Sequence, residues 1–281
     1  MTSIGEIRDY YVDATEMYSR YSAGTGGWHV GLWDAGVTTH GQSIVATNRR
    51  LLAGLAIDAN THILDAGFGS GSLALWAARK FGCRVTGITV VAQHVALAQL
   101  SAAMTGVSHL CDFQHMDMSA MTFPDASFDL VTNQETFCYV EDKLRYLRDV
   151  RRVLRPGGAW RAVDCARSER TPSARAERRH RRTCDGWHTF PYARASDVER
   201  LMDEAGLRRE PTENLTPLTL PCVREWLQPG IAGSPAVRRR ERARDPRRHA
   251  AMTAHFDGSR ACAHSLIDGD FVYVRFAATQ G

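Results

Sequence analysis

The chain has 281 residues, of which 44% are apolar, a net charge of +4 and seven scattered cysteines without a CxxC pair. This length is enough for one buried core, and no segment approaches the roughly 20 consecutive apolar residues that a membrane-spanning helix needs. Because the N-terminus also lacks the pattern of a secretory leader, we expect a cytoplasmic protein with reduced thiols, no protein-bound metal and no contact with a membrane.

Residues 1–56 are rich in aromatic side chains and have a helical pattern, so we expect a helical lid. Residues 57–165 alternate short apolar runs with helical segments, which predicts a parallel sheet covered by helices on both faces. In such a sheet the ligand crevice lies at the carboxyl ends of the strands. The predicted strands are 62–66, 83–88, 112–116, 128–133 and 159–163, and the predicted helices are 72–81, 91–104 and 143–154.

Residues 166–281 combine arginine-rich segments with prolines and a helical pattern near 196–205. Because prolines interrupt long helices, we expect short pieces that form a substrate-side insertion or an oligomer contact, and we expect a homo-oligomer. The segment from Asp270 to Phe276 alternates well enough to predict a C-terminal edge strand that completes the same domain as residues 57–165. The prolines in question are Pro217, Pro221, Pro229 and Pro235.

The segment Leu64-Asp-Ala-Gly-Phe-Gly-Ser-Gly71 is a glycine turn between a predicted strand and a predicted helix. Gly67 and Gly69 allow the backbone to bend sharply and approach a ligand, and Gly71 allows the start of the helix to pack against the strand. A dinucleotide-binding turn would carry its third glycine where Ser72 stands, with an acidic residue at the end of the next strand. Neither feature is present, so the turn does not favour a dinucleotide.

This turn resembles the cofactor loop of class I S-adenosylmethionine-dependent methyltransferases. Four further segments match that family in the same order, and the resemblance covers residues 6 to 164. It implies an α/β, Rossmann-like fold with a mostly parallel seven-stranded sheet. The matching segments are Gly87-Ile-Thr-Val-Val-Ala-Gln93, His115-Met-Asp-Met118, Phe123-Pro-Asp-Ala-Ser-Phe-Asp129 and Arg152-Val-Leu-Arg-Pro-Gly-Gly158.

The GIT-x-x-x-Q form of the second segment is similar to the branch that contains sterol, tocopherol and cyclopropane-forming methyltransferases. In that branch the ribose contact implied by the resemblance falls on Thr89, with Gln93 nearby, while Asp117 accepts a hydrogen bond from the adenine amine. The cofactor-binding residues expected in full are Tyr11, Asp65, Gly67, Gly69, Gly71, Thr89, Gln93, Asp117, Met118 and Gln134.

The segment Thr132-Asn-Gln-Glu-Thr-Phe-Cys-Tyr-Val140 resembles the one in sterol and prenyl diphosphate C-methyltransferases, in which a glutamate precedes a short aromatic stretch. An alkene that attacks a methyl group becomes a carbocation and must lose a proton, so a base beside an aromatic wall suits the reaction. We therefore expect Glu135 to be the base, with Tyr139 beside it. The alternative role for Glu135 is a hydrogen bond to the cofactor or to a backbone amide.

The N-terminal segment Tyr10-Tyr…Tyr18…Trp28-His-Val-Gly-Leu-Trp33 resembles the opening of small-molecule methyltransferases of the same branch. Tyr11 and Tyr18 are seven residues apart and so share one helical face, which is also the arrangement of an ordinary aromatic core. The resemblance implies that Tyr18 and His29 take part in catalysis and that Tyr21 and Trp28 contact the substrate.

A diphosphate substrate would require cations for its head group. Arginine forks match phosphate oxygens, so we expect Arg179 and its neighbours between 175 and 182 to bind the head group, with Trp187 against the apolar tail. A magnesium ion could be shared between the diphosphate and one carboxylate, although no DDxxD cluster is present. The alternative is that these arginines face solvent. The two arginine-rich segments, 167–182 and 238–248, lack the interleaved aromatic residues that nucleic-acid binding would bring.

The leading hypothesis is a C-methyltransferase of a prenyl diphosphate or a related terpenoid. The alternative is an O- or N-methyltransferase of a small secondary metabolite, in which His29 or Glu135 acts as the base. A third hypothesis, from another class, is a catalytically silent protein that binds the cofactor for assembly or regulation.

Overall fold

The computed structural model describes residues 2–21, 26–225, 242–243 and 245–281. Two helices precede the sheet, α1 (Ile4–Tyr21) and α2 (His40–Leu51). Thr39 caps α2, because its hydroxyl accepts a hydrogen bond from the Gln42 amide while the Gln42 side chain accepts one from the Thr39 amide. This reciprocal pair satisfies two backbone donors that the first turn of a helix would otherwise leave unpaired.

A central sheet of eight strands forms the body of the chain. The strands are β1 (His62–Ala66), β2 (Arg84–Thr89), β3 (Cys111–His115), β4 (Phe128–Gln134), β5 (Leu154–Arg167), β6 (Leu207–Arg209), β7 (Glu213–Asn214) and β8 (Phe271–Gln280). Their order is β3-β2-β1-β4-β5-β8-β6, and β7 pairs separately with β8. The first five strands run parallel, and β8 is antiparallel to its three neighbours. The expected α/β fold with a mostly parallel sheet is confirmed, but the sheet has eight strands instead of seven, because the two-residue β7 adds to β8.

Seven further helices surround the sheet among the described residues. They are α3 (Ser72–Phe81), α4 (Ala92–Met104), α5 (Lys143–Val153), α6 (Ala174–Trp187), α7 (Ala195–Glu204), α8 (Thr216–Glu225) and α9 (Pro246–Asp268). Neighbouring residues of a strand point to opposite faces of the sheet. Accordingly, Ile63 of β1 joins the apolar cluster that includes α3 and α4, whereas Leu64 joins the cluster that includes α5 and α7.

The C-terminal strand was expected at the edge of the sheet, and this position is wrong. β8 lies between β5 and β6, where it pairs with β5 from Phe271 to Thr279. The edge strand β6 has three residues, which is too short to produce a recognisable alternating pattern in the sequence.

The expectation that residues 166–281 contain only short pieces is wrong for α9, which has 23 residues. Pro221 lies inside α8, while Pro229 and Pro235 lie outside the described residues. Pro246 begins α9, at a position where a helix does not need the missing backbone N–H. None of the helices in the described ranges is long and apolar enough to cross a membrane.

Candidate active site

The cofactor crevice lies at the carboxyl ends of β1 to β4, where parallel strands deliver their following loops to one edge of the sheet. The cavity at this edge is lined by every residue expected to bind the cofactor except Gly71 and Gln93. The lining therefore brings together Tyr11, Asp65, Gly67, Gly69, Thr89, Asp117, Met118 and Gln134.

The glycine turn after β1 is shaped by close backbone packing. Gly67 has φ +90°, and a Cβ atom there would lie 2.6 Å from Cγ2 of Thr136. Gly71 has φ +78°, precedes α3, and would place a Cβ 3.2 Å from Ala98. Gly71 therefore packs the start of α3 against α4 and does not line the cavity, whereas Gly67 and Gly69 form part of its wall.

Asp65 supplies an unpaired acceptor at this cavity. Its side chain is 2% exposed, and Oδ1 accepts a hydrogen bond from the Thr132 hydroxyl at 3.3 Å. Oδ2 has no hydrogen-bond partner among the described residues. Burial raises the pKa of this carboxyl to about 7. A buried carboxyl oxygen without a donor fits a ligand that carries ammonium or hydroxyl groups, as S-adenosylmethionine does.

Thr89 is the last residue of β2, and Asp117 lies in the loop after β3. Both residues line the cofactor crevice. The Thr89 hydroxyl accepts a hydrogen bond from the Val91 amide at 3.2 Å, and Asp117 Oδ1 accepts one from the Ser119 amide at 2.8 Å. In both residues the side chain is therefore oriented by the loop that follows it. This orientation agrees with the expectation that they hold the nucleoside, which stays a prediction.

Gln93 was expected beside the ribose, but its side chain points to α1. Nε2 of Gln93 donates hydrogen bonds to the Thr15 hydroxyl at 2.8 Å and to the Val12 carbonyl at 3.3 Å. Gln93 therefore connects α4 to the N-terminal helix. The sequence pattern could not reveal this, because the face of α4 that α1 covers is a tertiary property.

A second cavity of about 350 Å³ adjoins the cofactor crevice. Both cavities are lined by Tyr11, Trp28, His29, Glu135 and Tyr139. The second cavity extends from these residues to Tyr18, Asp164, Cys165, Trp187, Tyr192, His255 and Ser259. Its size and aromatic lining suit a small, largely apolar molecule, so we refer to it as the substrate cavity.

Glu135 lies at the junction of the two cavities, directly after β4. Its backbone has φ +54°, an uncommon conformation for a residue with a side chain, and such strain is concentrated at functional sites. Oε1 accepts hydrogen bonds from the Val30 amide at 2.6 Å and from the Tyr273 hydroxyl at 2.9 Å. Burial is the main cause that raises the pKa of Glu135 to about 7, against the lowering effect of these donors. The carboxyl thus makes the backbone contact of its alternative role and also has a pKa suited to a base at neutral pH.

His29 is a neutral side chain at the same junction. Nδ1 lies 3.1 Å from the Val30 carbonyl, which can only accept, so Nδ1 carries the proton. Nε2 is then a bare acceptor, and it has no partner among the described residues. Burial lowers the pKa of His29 to about 4, which keeps the ring neutral at pH 7.

The expected tyrosines form part of the cavity wall. Tyr18 stacks on Trp28 with 5.3 Å between ring centroids, and its hydroxyl lies 3.1 Å from that of Tyr10. Tyr139 donates to the Trp187 carbonyl at 3.1 Å and accepts from the Tyr11 hydroxyl at 3.0 Å. These contacts join α1 to the loop after β4 and to the end of α6.

Arg179 does not line either cavity, which corrects its expected role at the substrate. Its Nη1 donates to Asp268 Oδ2 at 2.6 Å and lies 3.5 Å from Asp270 Oδ2, so the guanidinium connects α6 to the end of α9. The side chain of Tyr21 lies outside the described residues, as do residues 238–241 and 244 of the arginine-rich segment 238–248.

Several cavity residues carry no motif that sequence reasoning could use. Asp164 is 3% exposed, and its two oxygens accept hydrogen bonds from the amides of Cys138 at 2.9 Å and Cys165 at 2.8 Å. Burial raises the pKa of Asp164 to about 6. His255 contributes from α9, which is far from the motifs along the chain. The available signal for Asp164 was a polar residue directly after the predicted strand 159–163, although the observed β5 continues past it.

The glycine turn after β1, the crevice at the strand ends and the adjoining aromatic cavity are the features expected of an S-adenosylmethionine-dependent methyltransferase of the class I fold. Residues 64–161 match the family described as methyltransferase domain. The chain is thus an S-adenosylmethionine-dependent methyltransferase, and its cofactor is S-adenosylmethionine.

Two relatives of this chain are O-methyltransferases by their names. It is 27% identical to O-methyltransferase resE of Aspergillus sclerotiorum, over 70% of this chain and 76% of that protein. It is 28% identical to the 27-O-demethylrifamycin SV methyltransferase of Amycolatopsis mediterranei (strain S699), over 69% of this chain and 71% of that protein.

Among solved structures, the fold is similar to that of geranyl diphosphate C-methyltransferase from Streptomyces coelicolor A3(2), in complex with Mg²⁺, geranyl diphosphate and S-adenosyl-L-homocysteine. The TM-score is 0.75 at 20% identity, and the match covers 97% of this chain and 98% of that chain. At this identity the similarity concerns the fold alone. In the described part of this chain, no three metal-ligating side chains converge.

Proposed function

We propose that this enzyme methylates a carbon atom of a largely apolar, alkene-containing small molecule of the terpenoid class, with Glu135 as the general base. The observation that carries the proposal is the position of Glu135. Its carboxyl, with a pKa raised to about 7, lies where the cofactor crevice meets a cavity lined by aromatic rings.

S-adenosylmethionine supplies an electrophilic methyl group when it is bound. Methylation of an alkene carbon leaves a cation on the acceptor, and this cation must lose a proton. Trp28, Tyr11 and Tyr139 line both cavities at the junction, and aromatic rings stabilise a positive charge that lies over their faces. Glu135 then takes the proton, and both charges are neutralised in one step.

The buried carboxyls bear on the charge of the substrate. Glu135 and Asp164 both line the substrate cavity, and a diphosphate beside them would meet two groups that become anionic near neutral pH. Arg179, expected to bind that head group, is paired with Asp268. The structure therefore favours an uncharged terpenoid over a prenyl diphosphate. A magnesium ion was expected only together with a diphosphate, so the same observations make its participation less favoured.

O-methylation is the second candidate, and His29 favours it. A neutral imidazole with an unpaired Nε2 at the junction could take the proton of a substrate hydroxyl. The O-methyltransferases among the relatives agree with this alternative. The expected homo-oligomer stays a prediction, because a single chain carries no information about assembly.

The test combines two variants with a panel of acceptors. Glu135→Gln keeps the size of the side chain but removes the base, so turnover with labelled S-adenosylmethionine on a terpenoid alkene should fall by about 100-fold or more. The affinity for the cofactor, measured by calorimetry, should stay nearly unchanged. Glu141→Gln removes an exposed glutamate from the same loop and should leave turnover unchanged.

The panel contains terpenoid alkenes with and without a diphosphate, phenols and amines. Methylation of phenols alone, with Glu135→Gln active and His29→Ala inactive, would move the assignment to O-methylation. Full activity of Glu135→Gln on every acceptor would refute its role as the base.

A further inference from the structure

Two donors from distant parts of the chain meet on one oxygen of Glu135. The Tyr273 hydroxyl in β8 donates to Oε1 at 2.9 Å, and the backbone amide of Val30, which precedes α2, donates to the same atom at 2.6 Å. No hydrogen bond from the described residues reaches Oε2. Because Glu135 lines both cavities, Oε2 is the oxygen left to take a proton from an acceptor.

Tyr273 is itself held in place from several sides. It is 0% exposed, it pairs with Cys165 of β5, and its backbone amide donates to the Thr216 hydroxyl at 2.8 Å. It is not among the residues that line either cavity. Its hydroxyl contacts Glu135 and does not line a cavity, so we expect its effect on the reaction to pass through Glu135.

We propose that Tyr273 is a positioning residue that, together with the Val30 amide, engages Oε1 of Glu135, fixes the carboxylate and directs Oε2 to the acceptor. This inference rests on the function proposed for Glu135. The Val30 amide cannot be removed by ordinary substitution, whereas the Tyr273 hydroxyl can. Tyr273 is therefore the group through which the arrangement can be tested.

The charge state of Glu135 depends on groups from every element around it. Burial and the carboxyl of Asp164 raise its pKa, whereas the donors on Oε1 lower it, because they bind the ionised form better than the protonated one. Removal of the Tyr273 hydroxyl should raise the pKa of Glu135. The titratable groups around Glu135 are Asp164, His29, Tyr11, Tyr18, Cys138, Cys165 and Tyr273.

The chain offers a matched control at Tyr146. Tyr146 is also a buried tyrosine whose hydroxyl donates to a shared acceptor, Asn133 Oδ1, at 2.7 Å. After Tyr146→Phe that acceptor keeps the Trp160 indole donor at 2.9 Å, just as Glu135 keeps the Val30 amide after Tyr273→Phe. The two substitutions thus remove the same atom from similar surroundings, and one of them leaves Glu135 untouched.

The experiment records kcat/KM against pH for the wild type, Tyr273→Phe and Tyr146→Phe. Because activity requires ionised Glu135, kcat/KM should fall on the acidic side of the profile as Glu135 takes up a proton. In Tyr273→Phe this acidic limb should move to higher pH by about one unit, so kcat/KM at low pH should be about tenfold lower than in the wild type. Tyr146→Phe should keep the limb of the wild type, although both variants should unfold at a somewhat lower temperature. An unchanged limb in folded Tyr273→Phe would overturn the proposal, as would an equal movement in both variants.

Two further measurements separate this inference from the function on which it rests. Infrared difference spectra against Glu135→Gln follow the carboxyl titration without turnover, and it should move upward in Tyr273→Phe. If Glu135→Gln stays active while this titration moves, the base assignment fails and the contact with Tyr273 stands.

A second measurement applies if Tyr273→Phe fails to fold. Replacement of Tyr273 by 3-fluorotyrosine makes the hydroxyl a stronger donor, so the acidic limb of the kcat/KM profile should move to lower pH. No movement of this limb would refute the proposal.

Discussion

Gly67 is the position in the cofactor turn at which the surrounding atoms leave no room for a side chain. Its φ of +90° is unfavourable for other residues, and an added Cβ would lie 2.6 Å from Thr136 Cγ2 and 2.8 Å from Thr136 Cβ. Thr136 cannot move away easily, because its hydroxyl donates to the Ala66 carbonyl at 2.7 Å and accepts from Asn133 at 3.0 Å. Backbone strain and a steric clash therefore act together at this residue.

We predict that Gly67→Ala lowers the free energy of unfolding by about 2 to 4 kcal/mol, from the strain of positive φ and the clash with Thr136. It should also weaken binding of S-adenosylmethionine by about tenfold or more, since the turn that approaches the ligand is displaced. Denaturant unfolding and calorimetry measure the two effects.

Gly106→Ala is the matched control for the strain alone. Gly106 has φ +73°, but an added Cβ there would meet nothing within 4 Å. This variant should cost about 1 kcal/mol of stability and leave cofactor binding unchanged. Equal losses in the two variants would contradict the role assigned to the contact between Gly67 and Thr136.

At the scale of the element, α1 is held on two sides. On the cofactor side, the Thr15 hydroxyl contacts His94 Nε2 at 2.9 Å and accepts from Gln93 of α4 at 2.8 Å. On the substrate side, the Tyr10 hydroxyl lies 2.6 Å from His255 Nδ1 of α9. Residues of α1 line both cavities, and these hydrogen bonds help to hold the helix there; its role as a lid stays a prediction.

We predict that Gln93→Ala loosens this lid. Loss of the hydrogen bonds to Thr15 and Val12 should cost about 1 kcal/mol and speed amide hydrogen exchange in α1 by about fivefold. Gln99→Ala, on an exposed position of the same helix, should leave the exchange unchanged. If Gln93→Ala weakened cofactor binding without faster exchange in α1, Gln93 would act at the ribose, as the sequence motif implies.

At the scale of the whole molecule, two sets of buried titratable groups oppose one another. Burial raises the pKa of Asp65 and Glu135 to about 7, so the folded chain holds protons that the unfolded chain releases, and stability falls as the pH rises from about 4 to 7. Burial lowers the pKa of His29, His94 and His255 to about 4, so their contribution is present above about pH 6.5 and is lost as the pH falls. The two contributions partly cancel, so the free energy of unfolding of the wild type should depend less on pH than either set of groups alone would make it.

We predict that Asp65→Asn changes this balance in the cofactor-free enzyme. Because an amide does not ionise, the variant should gain stability relative to the wild type as the pH rises from about 4 to 7, on the order of 3 kcal/mol. Chemical denaturation at several pH values measures the difference. A difference that does not depend on pH would contradict a buried carboxyl with a raised pKa.

Asp58→Asn is the control, because the pKa of Asp58 is shifted in the opposite direction from that of Asp65. Asp58 is an exposed carboxyl whose pKa is lowered, mainly by the hydrogen bond from the Asn60 amide. Its contribution to stability is present above the pKa of the unfolded chain and is lost in acid. The variant should therefore be less stable than the wild type by an amount that is constant between about pH 5 and 7.

The sequence by itself determined the sheet of parallel strands, the cofactor turn and the position of Glu135. These features depend on neighbours along the chain, and parallel strands bring their following loops to one edge whatever the distant elements do. Glu135 could be predicted because it follows β4 at that edge. Gly67, Thr89 and Asp117 could be predicted for the same reason.

The tertiary structure alone decided which side chains complete the site. Gln93 contacts α1, Arg179 pairs with Asp268, and Tyr273 reaches Glu135 because β8 inserts between β5 and β6. Such contacts join residues more than 70 positions apart in the sequence. Examples are the contact between Gln93 and Val12 and the contact between Tyr273 and Glu135. They depend on which face of a helix packs inward and on where a strand enters the sheet. Both are decided by the packing of the whole core, on which a local pattern carries no information.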